Sequence, residues 1–235
     1  MTNNDKVKLN KSGIIALTSQ FRWGIIWMIV FFISAWNIFL FRAWIYIIIY
    51  FICAIITMII NWKLIPDIFN QRNKMQKGTK KWDEILLVLF FVFLLFINPL
   101  VAGLDVGRFQ CSSLNNYFII LGIILYIVSI IFIEWALLVN NFFEGTVRIQ
   151  ENRNHKVIKT GPYRIVRHPG YISMIIGNIG MIFIIGSFYM LIVNIIPSII
   201  LIIRTYLEDK TLQKELEGYL EYTKEVKYRL YPLIW

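Results

Sequence analysis

"YISMIIGNIGMIFIIGSFYMLIVNIIPSIILII", residues 171–203, is an apolar run that one membrane span cannot use up. The hydrocarbon core of a bilayer takes roughly 20 helical residues at about 1.5 Å rise each. This run is much longer, and Gly186-Ser187 interrupts it at a point where the chain can reverse. The stretch therefore predicts a tight hairpin of two short spans. Working outward, four further runs, Trp23 to Phe41, Ala43 to Ile60, Ile85 to Leu104 and Tyr117 to Val139, each suffice for one span. The expected fold is all-α: a polytopic membrane helical bundle of about six spans, the last two as a hairpin, followed by a cytoplasmic C-terminal helix.

Charge supports the hairpin. The chain has 235 residues, is 58% hydrophobic and carries a net charge of +10. Of its 24 Lys and Arg, six spans place 22 on alternate connections, beginning with Lys6, Lys8, Lys11 and Arg22, and leave only Arg42 and Arg108 on the other side. The positive-inside rule then predicts a multi-pass protein with both termini in the cytoplasm. Five spans would put the last six basic residues on the wrong face. The positive charge is spread over four segments at one membrane face, which suits anionic lipid heads. No basic stripe with interleaved aromatics suggests nucleic acid. The segment before Trp23 and the length of the following run argue against a cleaved signal peptide, and the closing Pro-Leu-Ile-Trp carries no prenylation signal. Cys53 and Cys111 read as unpaired thiols, and with only His155 and His168 besides, no metal site is expected.

Function is unevenly distributed. Residues 1–139 read as four spans with few polar groups, whereas residues 140–235 crowd charged, aromatic and glycine residues onto the cytoplasmic side and read as the cofactor-binding and catalytic region. No Gly-x-Gly loop follows a strand, which excludes a Rossmann domain, and no P-loop or Ser-His-Asp arrangement is present. The remaining candidate lies just before the hairpin. Gly161-Pro162 and Pro169-Gly170 mark two turns, and Tyr163, Arg164, Arg167, His168 and Tyr171 between and beside them supply donors, aromatic faces and fixed charge. Such a set suits a ligand with a carboxylate, hydroxyls and a flat heterocycle; it equally suits basic anchors and an aromatic belt.

Three further features have two readings each. Arg204, Glu208, Thr211 and Glu215 share one helical face, either as a cofactor-binding surface with Asp209 or as an i, i+4 ion pair in solvent. Glu134 is the one acid within a span, which is costly without a partner; it either orients a substrate beside a loop arginine or forms a structural pair. Ser173, Gly177 and Gly180 form a small-residue face, suited either to close helix packing or to contact with a cofactor. Asn98-Pro99 and Pro197 are expected to kink their helices. The tail from Arg204 to Lys227 has helical spacing to about Gly218 or beyond.

Taken in order, Gly161-Pro162-Tyr163-Arg164, Arg167-His168-Pro169-Gly170-Tyr171, Glu208-Asp209, Gly218-Tyr219, Tyr222 and Arg229-Leu230-x-Pro232 resemble the isoprenylcysteine carboxyl methyltransferase family and the related phospholipid N-methyltransferases. Gly78 to Asp83 and Leu104 to Phe109 extend the likeness more weakly. The resemblance implies an integral membrane enzyme that uses S-adenosylmethionine to methylate a lipid-linked acceptor, a carboxylate or an amine. It further implies that His168, Tyr171 and Glu208 contact the cofactor with Tyr163 and Arg167 beside them; Pro169 and Asp209 are expected to join them, and the residues themselves suggest Arg204, Glu208 and Glu134 for catalysis. Two departures stand out: Ser173 where many members have glycine, and Asp209 where a second glutamate is usual. A membrane reductase using NADPH, since sterol reductases resemble this family in their C-terminal halves, and a non-catalytic scaffold remain as alternatives.

Overall fold

The computed structural model describes residues 8–72 and 78–235; Lys6, Lys74 and Lys77, counted above, lie outside them. The described residues form helices and connecting segments with no strand. In lipid every backbone N–H and C=O must be satisfied within the segment, and helices do this. Five helices are long and apolar enough to cross a membrane: α1 (Lys11–Ala35), α2 (Phe41–Leu64), α4 (Lys81–Arg108), α5 (Tyr117–Val139) and α7 (Phe188–Glu215). The shorter apolar α6 (Pro169–Ile185) lies beside them, while α3 (Pro66–Arg72) and α8 (Tyr219–Glu225) are two-turn pieces. Alternate faces carry exposed isoleucines, as at Ile48, Ile52, Ile55 and Ile59 on α2, the surface expected of a lipid-facing helix. The protein is an integral membrane helical bundle.

The first span differs from its expected bounds. Its helix starts at Lys11 because Asn10 caps it, Oδ1 accepting from the Gly13 N–H at 2.8 Å. The polar residues of its early turns are satisfied locally: Thr18 donates to the Ile14 carbonyl, Ser19 to that of Ala16, and Gln20 reaches the Ala54 carbonyl of α2. A hydropathy window registers these residues as breaks. The helix ends before Phe41 because Trp36 turns left-handed at φ 54° and Asn37 accepts from the Phe39 N–H.

The hairpin between α6 and α7 forms where Gly186-Ser187 predicts it. Gly186 sits at φ 82°, a conformation open to glycine, and Ser187 caps α7 by accepting from the Met190 N–H at 3.0 Å. Arg42, one of the two basic residues on the sparse face, has a structural task here. It donates to the carbonyls of Phe183 and Ile184 at the end of α6 and to that of Leu114, where lipid offers those carbonyls no water. Asp105 accepts from Ser187 and Ser112 on the same face.

α4 contains two π-turns, Phe93–Ile97 and Leu104–Arg108. The first precedes Pro99, which cannot continue a regular ladder. α5 and α6 approach closely, since a Cβ on Gly180 would stand 2.7 Å from the Tyr126 nitrogen and one on Gly122 2.7 Å from the Gly180 carbonyl. The small face of α6 is thus a packing face. At the other end, α7 stops at Glu215, short of the expected Gly218. Gly218 turns left-handed at φ 77° and α8 folds back, so that Leu212, Leu216, Tyr219 and Tyr222 close over Ile149 and Val157.

Candidate active site

The segment 161–168 is shaped by its prolines and then fastened by the C-terminus. Pro162 opens a 3-10 turn, Gly161–Arg164, and Pro169 sits at the first position of α6, where its missing N–H is an orphan in any case. The Arg167 and His168 N–H groups donate to the carbonyls of Tyr228 and Arg229, both at 3.0 Å. Arg167 also reaches the Val226 and Lys227 carbonyls.

Behind this segment lies Asp209, fully buried. Its carboxylate accepts from Arg167 at 2.7 and 3.0 Å, Arg229 at 2.8 Å, Tyr219 at 3.0 Å and Gln213 at 2.7 Å, with His168 Nε2 at 3.4 Å. Asp209 of α7 thereby draws the 161–168 segment, α8 and the C-terminal strap together through one charged group. The side chain of Arg167 is only 4% exposed, so its charge relies on that partner. Burial would lower the Arg167 pKa, but the bonds from Asp209 hold it above the ordinary value.

In front of the segment opens a cavity of about 650 Å³, within the range of small-molecule sites. Tyr163, Arg167, His168, Pro169, Tyr171, Arg204, Glu208 and Glu134 all line it; Asp209 stands behind its wall. The His168 and Tyr171 rings stack at 5.9 Å and 20°. The Tyr171 hydroxyl donates to Glu208, and the Arg204 guanidinium lies 5.4 Å from the Tyr171 ring. Burial raises the Tyr163 phenol well above its ordinary pKa, and Asn140 donates to its oxygen at 2.8 Å.

Arg204 does not pair with Glu208 in solvent. It is buried and bonds Asp83 at 2.6 and 3.2 Å and the Gly145 carbonyl at 2.6 Å. Asp83, fully buried, accepts in addition from the Val147 N–H. This pair ties α4 and the 140–150 segment to α7, and leaves the Glu208 carboxylate to Tyr171. A second buried pair, Arg148 with Glu144 at 2.8 and 2.9 Å, stands in the cavity wall.

Glu134 accepts from the Asn61 amide at 3.3 Å through Oε1, while Oε2 is buried without a hydrogen-bond partner. The cation that acts on it is Arg72 of α3, outside the 140–170 segment; burial lowers Arg72 to about 10, opposed by Glu134 and Glu144. Asn61, Arg72 and His155 are cavity residues that the sequence did not single out. His155 accepts from the Gln150 N–H, and its ring lies tilted against that of Phe142 at 4.5 Å. Burial, reinforced by Arg148 and Arg153, depresses it to about 4.

A second, apolar cavity of about 310 Å³ lies deeper between α1, α2, α4, α5 and α6. The two share wall residues Gln20, Trp23, Phe90, Phe91, Ile130, Ile133 and Met174. A larger cavity that carries the charged and polar side chains thus abuts an almost wholly apolar one inside the bundle.

No curated protein matches the chain. Residues 118–214 match the model of the isoprenylcysteine carboxyl methyltransferase (ICMT) family. That stretch runs from α5 through the 161–171 segment and the hairpin to Glu208 and the last turn of α7.

Proposed function

We propose that this integral membrane methyltransferase moves a methyl group from S-adenosylmethionine to a lipid-linked acceptor at the junction of the two cavities. The observation that carries the proposal is the shared wall: one chamber the more polar and lined by the 161–171 motif, the next almost wholly apolar and inside the bundle. A water-soluble donor and a bilayer-soluble acceptor need such a meeting place.

The donor set fits the cofactor. S-adenosylmethionine has an ammonium, a carboxylate, ribose hydroxyls and an adenine, and the larger cavity offers the Glu208 carboxylate, fixed cations, and the Tyr163, His168 and Tyr171 rings. The unpartnered Glu134 Oε2 marks a place for a donor from a bound molecule. When bound, the cofactor supplies an electrophilic methyl group on a sulfonium. Tyr171 and Glu208 hold it as a bonded pair, with Tyr163, His168 and Pro169 as walls. Arg167 reaches the cavity wall, Asp209 acts from behind it as a positioning residue, and Arg204 fixes the Tyr171 face. Asn61 and Glu134 orient the acceptor. A carboxylate acceptor needs no base, whereas an ammonium must lose a proton, which the free Glu134 oxygen is placed to accept. Alignment and a water-poor wall serve either acceptor.

In this reading residues 1–139 chiefly house the acceptor and residues 140–235 the cofactor. The site faces the cytoplasm, as do both termini. Cys111, exposed in the opposite connection, should react with an impermeant maleimide added to intact cells; reaction only after permeabilisation would reverse the orientation. For the activity, purified protein with radiolabelled S-adenosylmethionine and the lipid extract of its host should transfer label into the organic phase. Unlabelled lipid, with active protein confirmed by cofactor binding, would refute the lipid-linked acceptor.

A further inference from the structure

The apolar cavity is not lined by hydrocarbon alone. Two side chains in its wall present donors that no described residue accepts: Trp27 Nε1 and Asn178 Nδ2, both buried. Trp27 is 4% and Asn178 8% exposed. An indole N–H can only donate, and an orphaned donor in an apolar cavity is costly because hydrocarbon offers no acceptor. Their neighbours show that the omission is local. Ser129 donates to the Tyr126 carbonyl, Tyr50 to the Gln20 carbonyl, and Gln20 to that of Ala54. A tail of bare hydrocarbon would leave both N–H groups unsatisfied.

We infer that the acceptor's lipid portion carries a hydrogen-bond-accepting oxygen, an ester, ether, carbonyl or hydroxyl, which Asn178 and Trp27 hold inside the second cavity. The inference rests on the reading of that cavity as the acceptor's. It also sets a length: Asn178 lies seven residues beyond Tyr171 on α6, or about 10 Å along the helix axis. The oxygen therefore belongs well down the molecule from the methylated atom. Acyl-ester lipids and oxygenated isoprenoids both meet this requirement, and Asn178 with Trp27 would select either against a bare chain of the same length.

The test is a binding titration by native mass spectrometry on the detergent-purified full chain, with matched probes. Methyl oleate is compared with 1-octadecene, and farnesol with farnesene. The oxygen-bearing member of at least one pair should bind about tenfold more tightly, and the pair that responds identifies acyl-ester or isoprenoid as the source. Asn178→Leu, and Trp27→Phe, which keeps an aromatic ring and removes the N–H, should each reduce that ratio to within about twofold. No preference in either pair, as a water-filled cavity would give, overturns the inference, as does a preference that survives both variants. Calorimetry with S-adenosylmethionine on the same samples separates the two claims. Loss of cofactor binding in the unmodified protein sinks the proposed function, whereas intact binding without an oxygen preference sinks only this inference.

Discussion

Replacing Asp209 with asparagine keeps the shape of the site and removes the charge on which three elements converge. Arg167 then has a buried guanidinium facing a neutral amide, with only the Val226 and Lys227 carbonyls to compensate. Breaking a buried ion pair from one side costs about 3–5 kcal/mol; the retained carbonyls and the asparagine oxygen place the expected loss near the lower end, about 3 kcal/mol. Arg229, 28% exposed at its side chain, can turn to solvent and adds at most about 1 kcal/mol. For a chain of this size, about 3 kcal/mol corresponds to roughly 6–12 °C in melting temperature. Asp209→Asn should therefore melt that much lower in detergent and also bind S-adenosylmethionine more weakly, because the 161–168 segment loses its rear support. Melting within about 2 °C of the unmodified protein together with a large loss of affinity would refute this reasoning, since it would make Asp209 a direct cofactor contact. Arg229→Ala is the control, with a shift of about 2–4 °C.

Two further outcomes follow from cavity residues. Glu134→Gln should lower turnover at least tenfold while leaving cofactor affinity within about threefold, as required of a group that orients the acceptor; equal losses of folded protein and activity would make it structural. His155 is depressed from 6.5 to about 4, so between those values the unfolded chain binds a proton that the folded one refuses. Stability must then fall as pH falls through that window. Discounted for partial exposure, the loss at pH 5 is about 1 kcal/mol. His155→Gln should flatten this slope in melting curves taken from pH 7 to 4.5, and an unchanged slope would place the titration elsewhere.

What the sequence makes legible here depends on range. Hydrophobic runs report burial in lipid directly, and a glycine before a serine between two such runs reports a reversal, so the bundle and its hairpin are readable. The start of α1 is not, because Asn10 and the polar residues after it are satisfied by backbone that hydropathy does not see. The site divides in the same way. Its motif residues are neighbours in sequence, while their partners are not. Arg204 finds Asp83 121 residues away, and Glu134 finds Asn61 at a separation of 73. Basic residues are the hardest to sort, since Arg42, Arg72 and Arg167 look alike as charges near membrane ends. Only the fold distinguishes a helix-end clamp, a cavity wall and a buried partner of Asp209.

The account stands most directly on cofactor binding at the 161–171 segment and Glu208. Titration calorimetry of the detergent-purified protein with S-adenosylmethionine, and with NADPH as the competing ligand, should show binding of the former alone. His168→Ala, Tyr171→Phe and Glu208→Gln should each weaken it by about 1–3 kcal/mol, roughly fivefold to more than a hundredfold, while Lys210→Ala, exposed on the same helix, leaves it unchanged. Unaltered affinity in all three variants, an equal loss in the Lys210 variant, or binding of NADPH in place of S-adenosylmethionine would contradict it.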